Sequence, residues 1–148
     1  MRSTMLALVL AALVLPIAAT PAVAQSQAAA AGPVYVVYYW RAKPDKLADY
    51  SAYITGTAEK IDEDARKAGA FIEVTTVLAT RTPEGSLPDW THLRMFKVAS
   101  VVGAEQLAAA LDAATMRMVP DEAQRKANST RSAGMRDFVR REVWTTLR

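Results

Sequence analysis

An α+β fold, with a four-stranded antiparallel sheet carrying helices on one face, is what the sequence predicts. Three observations carry it. Val34–Trp40 is β-branched and aromatic with no Gly or Pro inside it, which is the composition of a strand. A long stripe of apolar residues at helical spacing follows directly. The second half of the chain then repeats the order of strand, helix and strand.

Within Val34–Trp40, alternation puts Val34, Val36, Tyr38 and Trp40 on one face and Tyr35, Val37 and Tyr39 on the other. Both faces are apolar, so both require cover. Lys43-Pro44-Asp45-Lys46 opens a helix, because Pro suits the first turn and an acid there complements the helix dipole. Its apolar stripe runs through Leu47, Tyr50, Ile54, Ala58, Ile61, Ala65 and Ala68 in steps of three or four. Gly69 stands where a left-handed cap is expected. Asp62-Glu63-Asp64 reads as a solvated face, since a calcium loop would need a turn with a Gly.

Phe71–Thr80 reads as a second strand and Arg81–Asp89, with Pro83, Gly85 and Pro88, as a loop. Trp90–Val98 is a third strand, and its closeness to the second predicts an antiparallel hairpin. Ser100 can cap a second helix whose stripe is Leu107, Leu111, Ala114 and Met118. Pro120 restarts the chain as a short helical piece reaching about Ser129, and Gly134 breaks the pattern. Met135–Leu147 is the last strand, with Phe138, Val139, Val143 and Trp144 predicting a bulge or burial on both sides.

Strand-helix-strand taken twice is the split βαβ arrangement of ferredoxin-like domains. Right-handed crossovers place both helices on one face of the sheet. The other face keeps aromatic residues from the first, third and fourth strands. A second copy of the chain, packed sheet against sheet, is the simplest cover, with room for a ligand in part of the gap.

The residues ahead of the first strand read differently. Arg2, the apolar run Met5–Leu15, Pro16 and the small-x-small triplet Ala22-Val23-Ala24 together form a signal-peptide pattern. Residues 1–24 are thus expected to be cleaved near Ala24, residues 25–33 to be a flexible leader, and residues 34–148 to be one domain. At ~1.5 Å per residue the apolar run falls well short of a ~30 Å bilayer core, so no stable membrane anchor is expected. The expectation is a soluble bacterial protein that is periplasmic or secreted. The absence of cysteine excludes thiol chemistry, and a formal charge of +3 is too small to argue for nucleic acid.

The stretch Val34–Tyr53 joins an apolar strand to a helix through Arg41-Ala42-Lys43-Pro44-Asp45-Lys46. It resembles the opening of the dimeric α+β barrel proteins, which include antibiotic-biosynthesis-monooxygenase-like and NIPSNAP-like families. There the link commonly reads K-P-G-K, and Asp45 replaces the Gly. The resemblance implies the fold and a homodimer. It says less about activity, because the superfamily mixes oxygenases, isomerases, haem degraders and proteins with no known activity. Haem-degrading members keep a ligand histidine on or near the second helix, whereas Val101–Met118 has none, and no cofactor is expected. Polyphenol-binding oxygenases of the group use Asn with Trp, but the sole asparagine here is Asn128 in the late helical piece.

His92 is the only histidine, and alternation places it with Trp90, Arg94 and Phe96. It reads either as a base or proton donor inside the barrel or as a hydrogen-bonded histidine of a half-buried sheet, and the second reading suits a lone histidine better. Arg94, Arg140, Arg141, Glu142 and Glu73 lie on predicted strands. Pointing inward they would need partners or ligand; pointing outward they would protect edges. Tyr38, Trp40, Trp90 and Trp144, with Tyr35 and Tyr39, form either the wall of a site for a flat aromatic molecule or the dimer core, and the dimer core is favoured. A single histidine without cysteine builds no His-rich zinc site, and no metal is expected. No nucleophile-elbow or nucleotide-binding glycine motif is present. The function expected is an exported homodimer that binds a small ligand. The alternative is a cofactor-independent oxygenase or isomerase acting on an aromatic small molecule, with His92 and Arg94 as candidate catalytic residues.

Overall fold

The β-branched and aromatic run forms the central strand β1 (Val34–Ala42). The computed structural model describes residues 32–79 and 88–146. The expected signal peptide, its expected cleavage site and nearly all of the expected leader lie outside those residues, as does most of the loop between the second and third strands. After β1 come α1 (Leu47–Tyr53), a π-helical turn (Ile54–Ala58), α2 (Glu59–Lys67), β2 (Glu73–Leu78), β3 (His92–Val98), α3 (Val101–Met118), α4 (Glu122–Met135) and β4 (Arg136–Thr145). The sheet order is β2-β3-β1-β4, with every neighbouring pair antiparallel. This is the α+β arrangement expected, with one helix more than two.

Register settles which side chains meet. Val36 faces Phe96 on β3 and Val143 on β4, while Tyr38 faces Arg94 and Arg141. Val34, Val36, Phe96 and Val98 are buried with Ala65, Phe71, Ala104, Leu107 and Ala114 in one core cluster between sheet and helices. Phe96 meets Phe71 edge-on at 5.0 Å and Tyr38 at 5.9 Å. Burying a side chain of this size contributes about 1.5–3 kcal/mol. A second cluster joins Tyr50, Ile54 and Met135 to Trp40 and Tyr53. Small residues at Ala65, Ala104 and Ala114 let the helices approach the sheet and each other closely. Arg117 bridges from α3 to Asp64 on α2 at 2.6 Å.

Several boundaries differ from the sequence reading. Phe71 does not extend β2. Its ring turns into the core, so the strand starts at Glu73. Likewise β3 starts at His92, and the alternation that would put Trp90 beside His92 does not reach back that far. The long first helix is interrupted by the π turn around Gly56. The late helical piece runs past Ser129 and through Gly134 to Met135, because Met135 is anchored under Tyr50 and Ile54. Ser100 does cap α3, accepting from the Gly103 N–H at 3.1 Å, and Asp121 caps α4 from the Gln124 N–H at 2.6 Å. The expected irregularity of the last strand is present: register shifts between Tyr39, which faces Arg140, and Trp40, which faces Phe138. Among the described residues no helix is long and apolar enough to cross a membrane.

Candidate functional site

The helix face of the sheet is not fully closed by its own helices. A cleft of about 280 Å³ opens between them, with Tyr38, Trp40, Tyr50, Tyr53, Arg94 and Arg136 in its wall. Asp62 and Ala108 contribute from the helical side. A second hollow of about 690 Å³ shares Trp40, Tyr53 and Arg136 with the first and runs on to Asn128 and Ser132 of α4. The two are therefore one groove, with an aromatic inner end and a more polar outer end.

Strand alternation delivers Tyr38 and Trp40 from β1 and Arg94 from β3 to this face. Arg136, the first residue of β4, lies at the junction. Its guanidinium stacks 3.5 Å above the Trp40 ring, donates to the Tyr50 hydroxyl at 3.0 Å, and donates through Nε to Ser132 Oγ at 2.9 Å. Burial raises the Tyr50 phenol above its ordinary value, and the Arg136 charge opposes this.

Beneath the helices, the Arg94 Nη2 donates to Asp62 Oδ2. Asp62 is only 4 % exposed. Burial pushes its carboxyl above the ordinary carboxylate value, Arg94 pulls it back, and neighbouring Glu59 adds to the rise. Asp62 Oδ1 takes no hydrogen bond among the described residues, and Arg94 Nε is buried there without a partner. A buried polar group left so requires an explanation. The reading of Asp62 as solvated is thus overturned. Its spacing carried the signal, because Ile54, Ala58, Asp62 and Ala65 share one helix face.

His92 sits beside the cleft rather than in its wall. Its Nε2 is 3.0 Å from Ser51 Oγ and its Nδ1 is 2.9 Å from Thr91 Oγ1. Ser51 already donates its proton to the Leu47 carbonyl at 2.8 Å. Thr91 Oγ1 likewise reaches the Trp40 carbonyl at 3.3 Å, so each ring nitrogen has a hydroxyl partner, one donating and the other accepting. Burial lowers its affinity for a second proton, and the Tyr50 ring closes one side at 4.6 Å. This is a satisfied, neutral core histidine.

The six residues singled out from sequence do not share one site. Tyr38, Trp40, His92 and Arg94 face the helices, whereas Trp90 and Trp144 belong to the open face of the sheet, and the sheet itself separates the two sets. The gap beyond the sheet is not where His92 and Arg94 point. On the open face Trp90 packs against Tyr39 at 5.8 Å. Glu142 accepts from the Tyr39 hydroxyl at 3.0 Å, Arg140 Nε at 2.8 Å and Trp144 Nε1 at 2.8 Å. Arg140 also covers the Tyr39 ring at 3.9 Å. Of the other strand charges, Arg141 turns to the helix side and donates to the Ala104 carbonyl at 2.6 Å. Arg136 and Asp62 were missed by the sequence reading, and for Arg136 no periodicity could have flagged it, because it begins a strand at the end of a helix.

A βαββαβ sheet with helices on one face and a groove beneath them is a ferredoxin-like α+β domain. The same fold occurs in a solved EthD-like protein from Ralstonia eutropha JMP134, which is 13% identical with a TM-score of 0.51 over 77% of this chain and 91% of that one. HapK from Hahella chejuensis aligns at 12% identity with a TM-score of 0.44 over 77% and 92%. No protein-family model matches the chain, and no curated protein does.

Proposed function

We propose that the protein is an exported, homodimeric α+β barrel that binds a small ligand in the groove between its sheet and its helices. The groove carries this reading: an aromatic wall of Tyr38, Trp40, Tyr50 and Tyr53 is set beside the guanidinium groups of Arg94 and Arg136. Apolar walls with a few fixed polar groups are what small-molecule sites consist of. A flat molecule bearing an oxygen acceptor fits both features. The open face supports the dimer, because it carries Trp90, Tyr39 and Trp144, and the Tyr39 hydroxyl and Trp144 Nε1 are already paired with Glu142 within the chain. Two copies can then meet there without leaving Glu142 or Arg140 unsatisfied.

Ligand-observed NMR with 2-naphthol tests the groove. Saturation transfer from the protein is expected with the natural chain. It should fall at least tenfold with Ala108→Trp, which fills the cleft from an exposed position on α3. Equal transfer in both proteins, or none in the natural chain, would refute the site.

A further inference from the structure

Asp62 and Arg94 form a pair that folding alone does not explain. Each is held on one side and unspent on the other. Among the described residues Oδ2 is engaged and Oδ1 is not; Nη2 is engaged and Nε is not. Both side chains line the cleft. A carboxylate oxygen beside a guanidinium charge in an aromatic pocket puts a base and a cation at one spot. Building on the ligand-binding reading above, we propose that the Asp62–Arg94 pair moves a proton on a small cyclic ketone held in the cleft.

In the first step Asp62 Oδ1 takes a proton from the carbon next to the carbonyl. The C–H bond breaks and an O–H bond forms on Asp62. The freed electron pair becomes the C=C bond of an enolate, whose oxygen gains negative charge against the Arg94 guanidinium. Asp62 then returns the proton to the same carbon or to the far end of a conjugated system. The net result is exchange or isomerisation, with no change of oxidation state and no co-reactant. Desolvation makes Asp62 a stronger base than an exposed aspartate, and Arg94 tempers this without cancelling it. The other charged groups near it are Glu59 on its own helix, Asp112 across the cleft on α3 and Arg136 on β4. His92 is excluded as the base, because both its nitrogens are occupied by hydroxyls.

The test uses the full chain with 2-tetralone and 2-indanone in D2O. Proton NMR follows loss of the α-proton signal, and saturation transfer reports binding in the same tube. Exchange about 100-fold faster than in buffer is expected, a size typical of one positioned general base. The paired change Asp62→Leu with Arg94→Met removes both charges at similar volume. It should reduce exchange to the buffer rate while its circular dichroism and denaturant midpoint stay close to those of the natural chain. Ala108→Trp, whose core is untouched, should lose both signals. Ketone that binds the natural chain but exchanges at the buffer rate would overturn proton transfer and leave the binding site standing. Rapid exchange surviving in the paired variant or in Ala108→Trp would overturn the assignment to this pair. Absence of both binding and exchange in the natural chain would overturn both readings.

Discussion

At the scale of single residues, the protein keeps two buried titratable groups whose pH effects have opposite sign. His92 has its folded pKa below the ordinary 6.5. As pH falls through that value the unfolded chain takes up a proton that the folded chain refuses, so stability drops, by at most about 1.4 kcal/mol per pH unit. Asp62 has its folded value above the ordinary 3.8. Between these two values the folded chain binds the proton more readily, so stability rises as pH falls there. Urea midpoints at pH 7.5 and 5.5 should therefore differ more for the natural chain than for His92→Gln. The Asp62–Arg94 pair makes a second expectation. Asp62→Asn leaves Arg94 buried without a counter-charge and should cost about 3–5 kcal/mol, whereas Asp62→Leu with Arg94→Met should be nearly neutral. Denaturant unfolding of both variants measures the contrast. Asp45 is the third case. Its φ of +60° is the left-handed region where an L side chain is strained, in the position where the K-P-G-K link carries glycine. Asp45→Gly is expected to raise stability by about 0.5–1 kcal/mol in the same assay, the relief of strain exceeding the added entropy of the unfolded chain.

At the scale of elements, the π turn Ile54–Ala58 decides where the aromatic residues of α1 point. It holds one residue more than an α-helical turn needs, and each residue rotates a helix by about 100°. Tyr50 and Tyr53 lie before it and Asp62 after it, and all three line the cleft. Deleting Gly56, which has open space around its Cα, should convert the segment to continuous α-helix. Circular dichroism would then retain the helical signal while 2-naphthol saturation transfer disappears, because the tyrosines have turned away from Asp62. The sequence periodicity does not expose this turn. Apolar residues still recur every three or four positions across it, so the stripe reads as unbroken.

At the scale of the whole molecule, the sheet has two faces with separate work. The helix face holds the core and the groove. The open face carries the exposed Trp144 and the half-buried Met95 and Trp90 around a buried Tyr39, and the Tyr39 hydroxyl and Trp144 Nε1 both bond Glu142. Light scattering on the purified chain should give twice the mass of one copy. Met95→Glu, which sets a charge opposite Val37 at the middle of this face, should shift it to a single copy with its circular dichroism unchanged. A natural chain that scatters as one copy would leave the open face without the partner proposed for it.

Strand alternation, the helical stripe and the capping residues are local properties, and local chemistry fixes them. The order of elements, the caps at Ser100 and Gly69, the bulge of β4 and the division of β1 into two apolar faces were all readable from neighbouring residues. What lies across space was not. Register decides that Arg94 stands beside Tyr38, a π turn with one extra residue decides which tyrosines meet it, and the end of a helix decides that Arg136 lies over Trp40. These depend on distant segments arriving at the same point, and a linear pattern does not encode the depth at which they arrive. That is why Asp62, whose spacing already set it on the buried helix face, finds Arg94 only in the fold.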